Sequence, residues 1–461
     1  MLPVITLFTR LSWRLVLAAS LLLSLCHPRG LSAQAQATDP LGSLVVEALR
    51  NNLGLQAERL AEDRTTAEVR EARGLFFPAV TLDSRYTEQS GTLNLGDVVN
   101  PAYAALNQIR GTNQFPTNLN LTLPLAYESR VRVTQPLFNE GIRRSYSLAR
   151  HRLDGQRAHL LAAARRLAAD VQTAFVRVAD ARSAAAIYDA SLALVTENER
   201  VAQRLLEAGR ATPDAVFRAR AERSDIEQKL AEARAQVDAA ARTLNQLLGR
   251  PLDTPIPAPP DSALQPELTL SEDQAVAHAL AHREELGEME AGIATADDAI
   301  GLATASFLPS VAVAFDYGFQ GQDIRFSSNN DYWSASVVVS WNLFNGGRDL
   351  ARRQAAGADA QRMRVARQDL EDRIRLEVRQ AYAALVVARE AITTADDRLT
   401  AARRTFDLVR RRYDEGVASQ IEFLDARTQL TNAELNRALT AHRFAIRYFD
   451  LERAAALRAM D

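Results

Sequence analysis

The sequence predicts a mainly α-helical chain with membrane-type β-strands, built as a helix, strand, strand, long helix, helix unit that occurs twice. Three observations predict it. The first is an internal repeat. Glu47-Ala48-Leu49 stands 231 residues before His278-Ala279-Leu280, and Phe76-Phe77-Pro78-Ala79-Val80 stands 231 before Phe307-Leu308-Pro309-Ser310-Val311. Further on, Leu137–Gly141 matches Leu343–Gly347 at 206, and Gly209–Arg220 matches Gly416–Arg427 at 207. Two copies of about 200 residues mark a duplicated half-structure, since solenoid units are far shorter. The second observation is the length of the helical stretches. Residues 142–208 and 348–415 contain no Pro and one Gly each, Gly155 and Gly357, so each can run for about 100 Å at ~1.5 Å per residue. The third is four short segments in which apolar and polar residues alternate, the period of a strand.

Composition bounds the rest. A chain of 461 residues, 47% hydrophobic and 24% charged with a net charge of −2, buries a core easily and is neither disordered nor collagenous. Lys229 is its only lysine, and its arginines form no polybasic cluster, so no nucleic acid partner is expected.

The chain starts with an expected signal peptide, residues 1–35. Arg10 and Arg14 precede the apolar run Leu15–Leu25, which is too short to span a bilayer, and small residues follow at Ala33 and Ala35. Cys26, the only cysteine, falls inside it.

The first repeat is placed at 36–249, with strands about 78–89 and 126–138 and long helices 142–208 and 212–249. The connector 250–270 is Pro-rich and reads as extended. The second repeat, 271–461, has strands about 309–320 and 332–344 and long helices 348–413 and 417–457. Ser271 with Gln274 has the spacing of a capping box at its start. Pro78 and Pro309 mark the change from helix to strand. On the helix after Gly209, Val216, Ala219, Ile226, Leu230, Ala233 and Val237 follow steps of three and four, the period of a coiled-coil seam, broken by Arg223. The shorter helices of each repeat together roughly match its long helix, so two of them fit end to end beside it. The first copy carries about 25 extra residues between Ser90 and Ala126, read as a long extracellular loop.

In the strands, Val80, Leu82 and Tyr86 oppose Thr81, Asp83 and Arg85, while Tyr127, Val131, Val133 and Leu137 oppose Glu128, Arg130, Arg132 and Thr134. Val311, Val313, Phe315, Tyr317 and Phe319 form one side of the third strand, and Trp333, Ala335, Val337, Val339 and Trp341 one side of the fourth. Lengths near ten residues with terminal aromatics suit strands with lipid on one side and water on the other. Alternation alone also fits a sheet packed on its own helices. An export signal and helices too long to fold back on a small sheet favour the membrane. Four strands cannot close a barrel, which needs about eight, so several chains must share one.

The doubled turns QPLFNEG and WNLFNGG, the strand starts FPAV and LPSV, and the helix pairs EAGRATPDAVFRARAE and DEGVASQIEFLDARTQ resemble the outer-membrane efflux channels of the TolC type over essentially the whole mature chain. The resemblance implies a homotrimer in the cell outer membrane, whose lipid-facing twelve-stranded β-barrel continues into a periplasmic α-helical barrel closed at its inner end. It implies an exit duct for efflux or type I secretion, with a periplasmic adaptor (membrane fusion protein) and an inner-membrane transporter as partners, and neither cofactor nor catalytic residues. The alternative is a non-conducting periplasmic coiled-coil scaffold.

The resemblance also assigns positions. Glu422 and Asp425, i and i+3 on one helical face, match the pore constriction, where threefold symmetry makes two rings of carboxylates that favour cations. Tyr413 matches a gate tyrosine; its aspartate partner aligns with Ala215, one step from Asp214. A basic gate position is Ala418 here, leaving Arg410, Arg411 or Arg412 to supply other links. Adaptor docking falls at Ala208, Gly209, Arg210 and at Glu415, Gly416, Val417, around glycines suited to closing helices. His278 and His282 have the i, i+4 spacing of a metal pair but no third ligand in sequence, and a solvated helix face is the preferred reading. Walker, dinucleotide, nucleophile-elbow and zinc-protease patterns are absent from the sequence.

Overall fold

The computed structural model describes residues 40–88, 93–120, 122–123, 125–257, 269–322 and 324–460. The expected signal segment and residues 258–268 of the connector lie outside the described residues.

Each repeat opens with a helix broken at one residue. In the first, α1 (Pro40–Asn51) and α2 (Leu53–Gly74) are separated by Asn52; in the second, α6 (Glu272–His282) and α7 (Glu284–Ala305) are separated by Arg283. Asn52 and Arg283 are equivalent under the 231-residue offset, and both have extended backbone, with ψ 124°. Asn52 accepts from Leu55 N at 3.1 Å and donates Nδ2 to the Leu247 carbonyl at 3.0 Å, so one side chain starts α2 and ties it to the far end of α5. The Ser271–Gln274 capping box forms reciprocally, at 3.3 and 2.9 Å.

Two long helices dominate the chain: α4 (Glu140–Glu207), of 68 residues, and α8 (Arg348–Asp414), of 67. Both end in glycine turns that reverse the chain into α5 (Pro213–Leu248) and α9 (Gln420–Ala454). Helices α2 and α5 pack along α4, while α6, α7 and α9 pack along α8. The repeats join because α7 and α9 also pack on α4. One core runs through Val171, Phe175, Val178, Leu244 and Leu248; a second runs through Ile374, Val378, Leu385 and Leu451. Frequent alanines at the contacts let the helices approach closely.

The strands β1 (Ala79–Tyr86), β4 (Tyr127–Phe138), β5 (Ser310–Gly321) and β6 (Asp331–Ser340) form one antiparallel sheet in that order, so β1 and β6 are its edges. Between β1 and β4 lie a small ribbon, β2 (Leu93–Asn94) with β3 (Thr122–Leu123), and a helix, α3 (Gly96–Arg110). The helix departs from the expected loop, and it forms in a stretch that carries Pro101 and several Asn, Thr and Gly residues, all breaker signals. A register shift between Pro136 and Phe138 puts Phe138, not Leu137, opposite Val311; one extra residue flips the facing of the residues beyond it. The ladder of β6 stops at Ser340, and Trp341 donates its indole N–H to the Phe307 carbonyl at 3.0 Å.

Candidate functional site

Two regions carry the features that a duct needs, the sheet and the far tip of the long helices. The sheet has two unlike faces. Across one, Leu82, Val131, Tyr317 and Trp333 stand in register, followed by Val80, Val133, Phe315 and Ala335. Leu82 is 71% and Trp333 70% exposed, too much apolar surface for a face meant for water. Towards the α3 end of the sheet, Tyr127, Phe319 and Phe326 pack edge to face, with centroids 5.3 to 5.8 Å apart.

The other face is an ion-pair lattice. Arg132 holds Asp316 through two bonds of 2.7 and 3.0 Å, and Ser334 donates to the same carboxylate at 3.3 Å. Glu128 accepts from Arg130 at 3.0 Å, from the Tyr332 hydroxyl at 2.9 Å and from Arg85 at 3.5 Å. Gly318 lies between Arg130 and Tyr332 in register. A Cβ there would sit 2.4 Å from the Ser129 carbonyl oxygen, so the gap is required for the close approach around Arg130.

At the tip, Gly209 (φ 70°) and Gly416 (φ 75°) take the left-handed conformation. In each turn the glycine N–H bonds three residues back, and the next N–H bonds five back: Gly209 to Leu206 and Arg210 to Leu205, Gly416 to Tyr413 and Val417 to Arg412, at 2.8 to 3.0 Å. These are Schellman closures. Ala208, Gly209, Arg210, Glu415, Gly416 and Val417 are all exposed. Ser419 then caps α9, its Oγ accepting from Glu422 N at 3.3 Å.

The first turns of α9 separate two roles. Glu422 and Asp425 are exposed on one side, where Asp425 also accepts from Gln429 at 2.8 Å. Phe423, Ala426 and Arg427 are buried on the other. Tyr413 stacks on Phe423, centroids 4.8 Å apart, and donates its hydroxyl to Asn198 Oδ1 on α4 at 3.3 Å. Burial, with the Asp414 carboxylate next to it, pushes the Tyr413 hydroxyl above its ordinary pKa. Within the chain, then, the structure pairs Tyr413 with Asn198 rather than with Asp214. A hydrogen bond from Thr212 holds the Asp214 carboxyl below the usual range, and Asp214 lies 3.5 Å from Arg218.

Sequence reasoning missed three groups here. Arg427, 2% exposed, binds Glu222 of α5, and Gln420 donates to the Ala215 carbonyl at 3.0 Å. Asn198 is the third. Arg427 was detectable as a charge four residues after Phe423 on the buried seam; its copy in the first repeat, Arg220, is exposed. Arg410, Arg411 and Arg412 are exposed. His278 and His282 stack, centroids 4.1 Å apart, with their Nδ1 atoms on the Ala455 and His278 carbonyls.

This duplicated architecture matches a known family, described as outer membrane efflux protein, over residues 44–250 and 275–456. The chain belongs to that family. A relative across nearly its whole length is the outer membrane efflux protein BepC of Brucella suis biovar 1, 24% identical over 433 residues, 94% of this chain and 88% of BepC. The alkaline protease secretion protein AprF of Pseudomonas aeruginosa is 26% identical over 330 residues, 68% of this chain and 66% of AprF. Among solved structures, CusC superposes with a TM-score of 0.75 at 19% identity over 90% of this chain and 92% of CusC. The outer-membrane channel OprN gives 0.73 at 20% over 90% and 89%. An outer membrane efflux protein is placed by its family in the outer membrane of a Gram-negative envelope, and the scaffold alternative falls away.

Proposed function

We propose that three copies of this chain form a passive exit duct, gated at the helical tip and joined there to a periplasmic adaptor and an inner-membrane transporter. The observation that carries the reading is the sheet, which has two free edges, an exposed apolar face and an ion-paired face. Pairing β1 of one copy with β6 of the next closes twelve strands and leaves no free edge. The apolar face then meets lipid, and the Arg132–Asp316 and Glu128–Arg130 lattice lines a wet lumen.

The same symmetry makes rings of Glu422 and Asp425 at the tip. Their exposure on the side of α9 opposite its packed face supports this role. The exposed Gly209 and Gly416 turns supply the adaptor contacts. Adaptor and transporter are proposed by kinship with secretion and efflux proteins such as AprF and BepC. The mass of the detergent-purified protein and its conductance in planar bilayers test the reading. Trimers that conduct a small current are expected; a water-soluble monomer without conductance would sink it.

A further inference from the structure

Helix α3 inverts the usual arrangement of an amphipathic helix. Its polar side faces the protein. Asn100 donates to the Leu119 carbonyl and accepts from Leu119 N, both at 2.8 Å. Two turns on, Asn107 does the same with Phe115, at 2.7 and 3.0 Å. Gly96 permits the close approach, since a Cβ there would lie 1.9 Å from the Leu119 carbonyl oxygen. Its apolar side is bare: Val98 is 73% and Ile109 82% exposed, with Ala102, Ala105 and Leu106 also exposed. Two amide clamps thus mount the helix rigidly with its apolar stripe outward, the mark of an interaction surface.

We propose that α3 is an assembly element, whose stripe packs against α3 of the neighbouring copies around the threefold axis at the end of the sheet away from the long helices. This rests on the trimer reading above. Three features choose a second copy of this chain as the occupant. Val98, Ala102, Ala105 and Ile109 are spaced four, three and four, the alternation of a parallel helix seam, and the two alanines allow close approach. The helix hangs from β1, the edge strand at which the next copy joins, and the base of its loop is closed by Thr87 N to the Ala126 carbonyl at 2.7 Å. Its only formal charges are Asp97 and Arg110, whereas a helix lying on a membrane surface presents a basic polar face.

Cys26, the only native cysteine, lies in the expected signal segment, so single introduced cysteines report cleanly. In the purified trimer, Ala105→Cys and Ile109→Cys should form disulfide-linked dimers on mild oxidation. Ala104→Cys, about 100° round the helix from Ala105, should not. Absence of cross-links on the stripe, or equal cross-linking at Ala104, overturns the inference while leaving the trimer intact. Ile109→Trp in vesicles with brominated lipid should stay unquenched; quenching assigns the stripe to lipid and overturns it too. A monomer under these conditions would refute the trimer reading itself.

Discussion

The guanidinium of Arg427 on α9 is buried against the carboxylate of Glu222 on α5, with Nε and Nη1 unpartnered among the described residues. This pair joins the two repeats near the tip, on the buried side of the helix that exposes Glu422 and Asp425. The partners differ in access: Arg427 is 2% exposed and Glu222 23%. Removing either charge therefore has unequal consequences. Glu222→Leu strands a cation that water cannot reach, at a cost of about 3 kcal/mol or more. Arg427→Met leaves a carboxylate that rehydrates. Denaturant unfolding of the detergent-solubilised protein should show the Glu222 variant as the less stable of the two, with larger bilayer conductance as the tip loosens. Equal losses would mean that the pair does not carry the contact.

Tyr413 gives a second asymmetry. Tyr413→Phe removes the bond to Asn198, whose Nδ2 is already unpartnered among the described residues, and should cost about 1 kcal/mol. It should also raise the open fraction of single channels. Asp214→Ala should leave the open fraction unchanged, because the Asp214 carboxylate is exposed beside Arg218. An effect of Asp214→Ala equal to that of Tyr413→Phe would show instead that the trimer brings these two residues together.

Periodicity and punctuation made the large elements legible. Long Pro-free runs gave α4 and α8, alternation gave the two sheet faces, and Gly209 and Gly416 gave the turns. The breaks at Asn52 and Arg283 were not legible. Neither is a Gly or Pro, and their extended backbone is held by distant partners, Leu247 for Asn52 and Glu377 for Arg283. Helix α3 was missed for the opposite reason: its breaker residues are overruled by the Asn100 and Asn107 clamps. Of the tip, the glycines could be read locally, whereas Glu422 and Asp425 stood out only through the family resemblance, since two acids at i and i+3 otherwise read as a solvated helix flank. The Tyr413–Asn198 and Arg427–Glu222 contacts join residues roughly 200 apart in sequence, beyond any local pattern.

If Glu422 and Asp425 form the proposed constriction, Glu422→Gln with Asp425→Asn should lower cation preference and weaken block by divalent ions. Neutral amides keep the size and polarity of the side chains but remove the rings of charge. Reversal potentials in a salt gradient measure the first effect, and titration with a divalent cation the second. If both match the parent channel, the two acids lie outside the conduction path.

The junction of α6, α7 and α8 should make stability sensitive to acid. Arg283 is 7% exposed and binds Glu285 at 2.7 Å and also Glu377, which in turn accepts from Arg453 at 2.7 Å. Burial opposes ionisation of Glu377 and Glu285, but the hydrogen bonds and charge of Arg283 outweigh it, so both carboxyls stay below the ordinary glutamate value. A lowered folded-state pKa means that the unfolded chain binds protons first as pH falls. The stabilisation is complete above about pH 4.3, the unfolded glutamate value, and drains away as pH drops through the lower folded values. Glu377→Gln should lower stability at pH 7 and flatten this acid limb relative to the parent. A parallel acid limb in the variant would assign the proton uptake to other groups.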